Sequence, residues 1–109
     1  MRYALLVCRD ETLTVRPEAE MVAALKEFTD RLGPRLLEST RLRPTATATT
    51  VRVRDGGLVI ADGPFAETKE QVGGFFIVEC ADLDEAIEAA ALVPVAQFGT
   101  IEVRPIWEM

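Results

Sequence analysis

Phe75-Phe76-Ile77-Val78-Glu79-Cys80 carries apolar side chains on both faces of the strand it would form, the pattern of a strand inside a sheet rather than at its edge. Asp82 follows almost at once as a helix N-cap, with Glu85 three residues on to complete a capping box. Leu83, Ala86, Ile87 and Ala90 then recur at helical spacing, and Pro94 closes the run. The chain ends in Thr100-Ile101-Glu102-Val103-Arg104-Pro105-Ile106-Trp107, a strand with Ile101 and Val103 on one face and a proline suited to an edge. This half therefore reads strand, helix, strand.

The same order opens the chain. Arg2-Tyr3-Ala4-Leu5-Leu6-Val7-Cys8 is again apolar on both faces, and Arg9-Asp10-Glu11 ends it. Pro17 suits a first helical position, with Glu18 and Glu20 at the positive end of the helix dipole. Met21, Leu25, Phe28 and Leu32 form one helical face, and Gly33-Pro34 stops it. Leu36 to Leu42 reads as a second strand. After Pro44, residues 46–54 form a β-branched, alternating run, Asp55-Gly56-Gly57 marks a hairpin turn, and Leu58-Val59-Ile60 returns as its partner. No repeat or linker interrupts residues 1–109, which read as a single domain.

The order βαβ, hairpin, βαβ predicts an α+β fold, a ferredoxin-like βαββαβ sandwich with an inserted β-hairpin. Two helices cover one face of such a sheet, yet residues 3–7 and 75–78 point apolar groups both ways. An uncovered apolar face of that size calls for a second subunit, so a homodimer is expected. The first and third core strands are antiparallel neighbours in this topology. Cys8 then falls near Gly73 and Cys80 near Tyr3, roughly 20 Å apart at ~3.3 Å per residue and beyond disulfide reach. Arg9 and Asp10 approach the segment 62–74.

Composition narrows the function. A net charge of −6 opposes nucleic-acid binding, no apolar run reaches membrane-helix length, and the N-terminus lacks a signal-peptide pattern, which points to the cytoplasm. Histidine is absent and there are only two cysteines, which removes His-dependent triads and leaves no ordinary zinc site; neither metal nor cofactor is expected. Charge is uneven: between Arg31 and Arg54 six arginines face one acid, Glu38, while acids dominate afterwards. A basic middle segment of this kind suits a solvated strand face, an anionic ligand or an acidic partner surface.

Asp62-Gly63-Pro64-Phe65-Ala66-Glu67-Thr68-Lys69-Glu70, followed by Gly73-Gly74, concentrates turn chemistry, an aromatic ring and charge without an apolar period. This stretch resembles the signature of the YCII-related family in its DGPF (DGPFAETKE) branch. Residues 46–56, Asp82-Leu83-Asp84-Glu85-Ala86 and Glu102-Val103-Arg104-Pro105 look like the same branch. The resemblance implies a dimeric α/β barrel of unsettled activity, in some relatives joined to sigma-factor-like proteins. Some relatives are ascribed a His and an Asp in a cleft; with no histidine here, only Asp62 matches an acid/base position. The first strand ends Cys8-Arg9-Asp10-Glu11 where relatives more often show a small or aromatic residue and glycine, and the resemblance implies that Arg9 narrows or recharges the cleft.

Two functional readings follow. One is a small-molecule-binding or accessory module, with a small anionic ligand held by Arg9, Asp10, Gly63, Pro64, Phe65 and Lys69, and with a functional link to a sigma-factor-type regulator. The other is an isomerase or lyase with Asp62 as general acid/base. The plainer reading of Asp62 is a turn residue, of Lys69 a surface ion pair, of Phe65 a core plug, and of Arg52 and Arg54 solvated strand positions. Cys8 reads as a small core residue, since no base is at hand to activate it.

Overall fold

The computed structural model describes residues 1–13 and 17–108. Two antiparallel sheets and two helices account for most of the chain. Strands β1 (Arg2–Arg9), β2 (Leu36–Arg41), β5 (Gln71–Glu79) and β6 (Thr100–Pro105) form one sheet in the order β2-β5-β1-β6. Strands β3 (Thr49–Arg54) and β4 (Gly57–Asp62) form a separate two-stranded sheet. The order of the larger sheet, with both doubly apolar strands at its centre, is compatible with a ferredoxin-like fold.

Helix α1 spans Glu18–Leu32 and α2 spans Leu83–Ala91. Pro17 stands just before α1, and Gly33 at φ 54° ends it in a conformation that disfavours a side chain. The Asp82 carboxylate accepts the Glu85 amide at 2.9 Å, the expected cap of α2. The buried stripe of α2 is Ala86, Ala89 and Ala90, whereas Leu83 and Ile87 are each 50% exposed. The expected stripe is thus turned by about one position, because alanine lets the helix approach the sheet most closely. The chain then leaves through Val93 and a short 3₁₀ turn, Pro94–Gln97, that contributes Val95 to the core.

Between helices and sheet lies one core. Tyr3, Leu5 and Val7 of β1 and Phe76 and Val78 of β5 meet Phe28 and Leu32 of α1, with the Phe28 and Phe76 rings 4.8 Å apart. Ile101 and Val103 pack on it from β6, as their alternation predicts. The opposite sheet face presents Ala4, Leu6, Phe75 and Ile77, half-buried rather than buried.

The run expected to be strand from residue 46 begins as a 3₁₀ turn at Thr45–Thr47 and becomes β3 only at Thr49. Together β3 and β4 make an arm, closed at its tip by Asp55 and Gly56, both at positive φ. Val51, Val53, Leu58 and Ile60 share one face of the arm and are each about 60% exposed. The arm stretches the molecule to 47 × 40 × 18 Å, and the Cα radius of gyration is 15.8 Å. A compact domain near this length has roughly 13 Å.

Candidate functional site

Where β1 ends, the strand pairing slips. Val7 pairs with Gly74 but Cys8 with Val72, which leaves Gly73 as an extra residue in β5. The Gly73 carbonyl accepts the Leu42 amide at 2.9 Å, tying the end of β2 to the bulge. Above this irregular floor runs the first half of α1. A cavity of about 480 Å³ opens between them, within the range of ~300–1,000 Å³ usual for ligand sites. Met21 and Leu25 of α1, Phe76 of β5, and Val93 and Val95 supply its apolar lining, while Arg9, Glu11, Arg41 and Arg43 supply charge.

These charged groups are not equivalent. The Glu11 carboxylate accepts the Thr45 amide at 3.0 and 3.1 Å and the Thr45 hydroxyl at 2.6 Å. The hydroxyl bond, then the amide bond, holds Glu11 below its ordinary pKa, helped by the nearby Arg9 charge. Glu11 thereby clamps the β1 end to the root of the arm. Arg41 donates to Glu18 of α1 at 2.9 Å, a pair across the cavity mouth. The Arg9 and Arg43 side chains make no hydrogen bond or ion pair among the described residues. Arg9 is half-buried as well.

The structure separates the residues singled out from the sequence. Arg9 lines the cavity. Asp10 lies beside it, accepts from Thr12 at 2.9 and 2.6 Å, and is held below its usual pKa by those bonds and by the Lys69 charge. The predicted approach of Arg9 and Asp10 to the later loop thus occurs at its Lys69–Gln71 end, where Arg9 pairs in register with Gln71. Asp62, Gly63, Pro64 and Phe65 belong instead to the base of the arm. Asp62 is exposed at the last position of β4 and makes no hydrogen bond among the described residues. Gly63, at φ 93°, donates its amide to the Ala48 carbonyl at 2.7 Å and accepts the Thr50 hydroxyl at 2.8 Å. Phe65 is 73% exposed and lies 4.5 Å beneath the Arg52 guanidinium.

Internal bonds shape the rest of the loop. Gln71 donates to the Ala66 and Thr68 carbonyls at 2.9 and 3.0 Å, and Thr68 donates to the Glu70 carbonyl at 2.6 Å. Cys8 has its thiol pKa raised by burial first, then by Glu102 and Glu70, so it is a poor nucleophile. No cluster of ligating side chains that could hold a metal occurs among the described residues. No helix among them is long and apolar enough to cross a membrane. Sequence reading missed Glu11, Thr45, Met21 and Leu25 as neighbours in one site. The only local signal was a carboxylate two residues after the strand end.

Comparison with known proteins gives two findings. The model of the YCII-related domain matches residues 1–109. An uncharacterized protein of Rhizobium meliloti (strain 1021) is 38% identical over 118 aligned positions, which cover 97% of this chain and 92% of the relative.

Proposed function

The chain belongs to the YCII-related family, and from that premise we propose that it is a homodimeric module that binds a small molecule in the cavity beneath α1. The cavity carries this reading: it is of ligand size, mostly apolar, and rimmed by a few convergent charged groups. Asp62 stands outside it, so the reading assigns the cavity to binding and no role in chemistry to that carboxylate. The signature at residues 62–70 supports placing the chain in the DGPF branch, in which a functional link to a sigma-factor-type regulator and a cytoplasmic location are part of the proposal.

Two unpartnered apolar surfaces support the dimer. One is the sheet face of Ala4, Leu6, Phe75 and Ile77; the other is the arm face of Val51, Val53, Leu58 and Ile60. An isolated two-stranded sheet is marginal in water, so an arm of this kind calls for a partner to pack on. Stacking two copies through their open faces makes the barrel expected of the family. A thermal-shift screen of small metabolites tests the binding reading. A raised melting temperature that disappears when the cavity is filled by Leu25→Trp is expected. Hits that survive that substitution place the ligand elsewhere and refute it.

A further inference from the structure

We infer that the ligand of this cavity is an amphipathic anion, with an apolar body seated beneath α1 and a carboxylate or phosphate head held by Arg9 and Arg43. The inference rests on the cavity being the binding site and adds the chemical class. Arg9 is the first ground. A guanidinium has five donors and keeps its charge at all ordinary pH, and a half-buried one normally meets a carboxylate. Arg9 lines the cavity and is half-buried, and its side chain has no hydrogen bond or ion pair among the described residues. The carboxylates nearest in charge, Glu11 and Glu18, are already engaged by Thr45 and Arg41.

The second ground is the sign of the mouth. Arg9, Arg41 and Arg43 face the single lining carboxylate of Glu11, and Glu18 offsets Arg41. Arg9 and Arg43 are the surplus, in a protein whose net charge is −6. Positive charge is therefore placed locally against the overall field, which favours anions at this point of the surface. The third ground is the floor. Gly73 lines the cavity, and a Cβ there would meet nothing within 4 Å, so the bulge leaves open space at the level of the arginines. The apolar lining of Met21, Leu25, Phe76 and Val95 offers no charged group to a polar tail. A fully polar anion would leave that surface wet, whereas an apolar body on an oxyanion head uses both halves.

Isothermal titration with octanoate, octyl phosphate and octanol tests the class, using the whole 109-residue chain. The anions are expected to bind about tenfold or more tightly than octanol, the size of a charge-assisted hydrogen bond at a partly open site. Arg9→Gln should lower anion affinity by about tenfold and leave octanol unchanged, and Arg9→Lys should recover part of the loss because charge returns without the planar fork. Gly73→Val should abolish all binding by filling the floor. If octanol and octanoate bind equally and Arg9→Gln changes neither, the anion is excluded while the cavity stands as a binding site. If Gly73→Val leaves binding intact, the ligand lies elsewhere and both readings fail.

Discussion

Replacing Gly74 by alanine tests how tightly the cavity floor is built. Gly74 is buried in β5, opposite Val7 of β1 and Arg41 of β2. A Cβ placed on it would lie 2.7 Å from the Thr40 carbonyl oxygen and 3.4 Å from the Arg41 Cα. The obstacle is the backbone of a hydrogen-bonded strand, which cannot swing aside as a side-chain tip can. Strand β2 must shift, and with it the Arg41–Glu18 pair at the cavity mouth. Forcing an extra methyl group into a packed site costs about 1–3 kcal/mol. Each kcal/mol moves the melting temperature by roughly 4–8 °C in a domain of about this size. Gly74→Ala should therefore lower it by on the order of 10 °C. Gly73→Ala is the matched control: its Cβ meets nothing within 4 Å, and its carbonyl bond to Leu42 is untouched. That variant should melt within about 3 °C of the parent. Calorimetry on both variants decides the matter. Equal melting temperatures would show that β2 does not approach β5 as described.

Three further outcomes follow from named contacts. Val53 and Leu58 are opposite each other on the exposed arm face, so Val53→Lys with Leu58→Glu keeps a favourable cross-strand pair while making the face polar. Sedimentation should show a dimer for the parent and a shift to monomer for the variant; an unchanged dimer removes the arm from the interface, and a monomeric parent removes the dimer. Glu11 has its pKa lowered below the ordinary 4.5, so its contribution to stability is present above that value and is lost as pH falls through the lower folded-state value. Thr45→Val should flatten this loss, and urea midpoints at about pH 6 and about pH 3 should differ less in the variant than in the parent; equal differences would sink the Glu11–Thr45 clamp. Asp82→Ala removes the cap on the Glu85 amide and should cost about 1 kcal/mol, read as a drop of roughly 4–8 °C, with Asp82→Asn close to the parent.

Much of the fold is legible in the residues, and the reasons are local. Pro17 and Gly33 bracket α1, Asp82 caps α2, and the two doubly apolar runs become the two central strands. Each depends on near neighbours in the chain. The face of α2 was legible only in part. Ala86 and Ala90 were expected inside and are, but leucine and isoleucine outrank alanine in any apolar count, which drew Leu83 and Ile87 into the stripe in place of Ala89. The helix nonetheless buries Ala86, Ala89 and Ala90, where small side chains permit close packing. The hairpin is legible in Asp55-Gly56-Gly57, and β3 and β4 do pair as a two-stranded sheet of their own. What stayed hidden is what the arm packs on, since an alternating β-branched run predicts a strand without saying what covers it.

The site divides along the same line. Arg9 was identified because its neighbour follows from antiparallel pairing of β1 with β5; that pairing forms, with a one-residue slip at Gly73 that sets Arg9 opposite Gln71. Glu11 was missed because its partner, Thr45, is 34 residues away and meets it only once β2 and the arm root are placed. Asp62 and Phe65 drew notice as members of a dense motif. The structure places them at the base of the arm, with Phe65 against Arg52, while the cavity lies at the other end of that loop.

A crystal structure of the protein with octanoate bears most directly on the central claim. The account predicts density for the ligand between α1 and the Gly73 bulge, its carboxylate within hydrogen-bond distance of Arg9. Octanoate found only at the arm or the open sheet face, with the cavity closed by Met21 and Leu25, would contradict it.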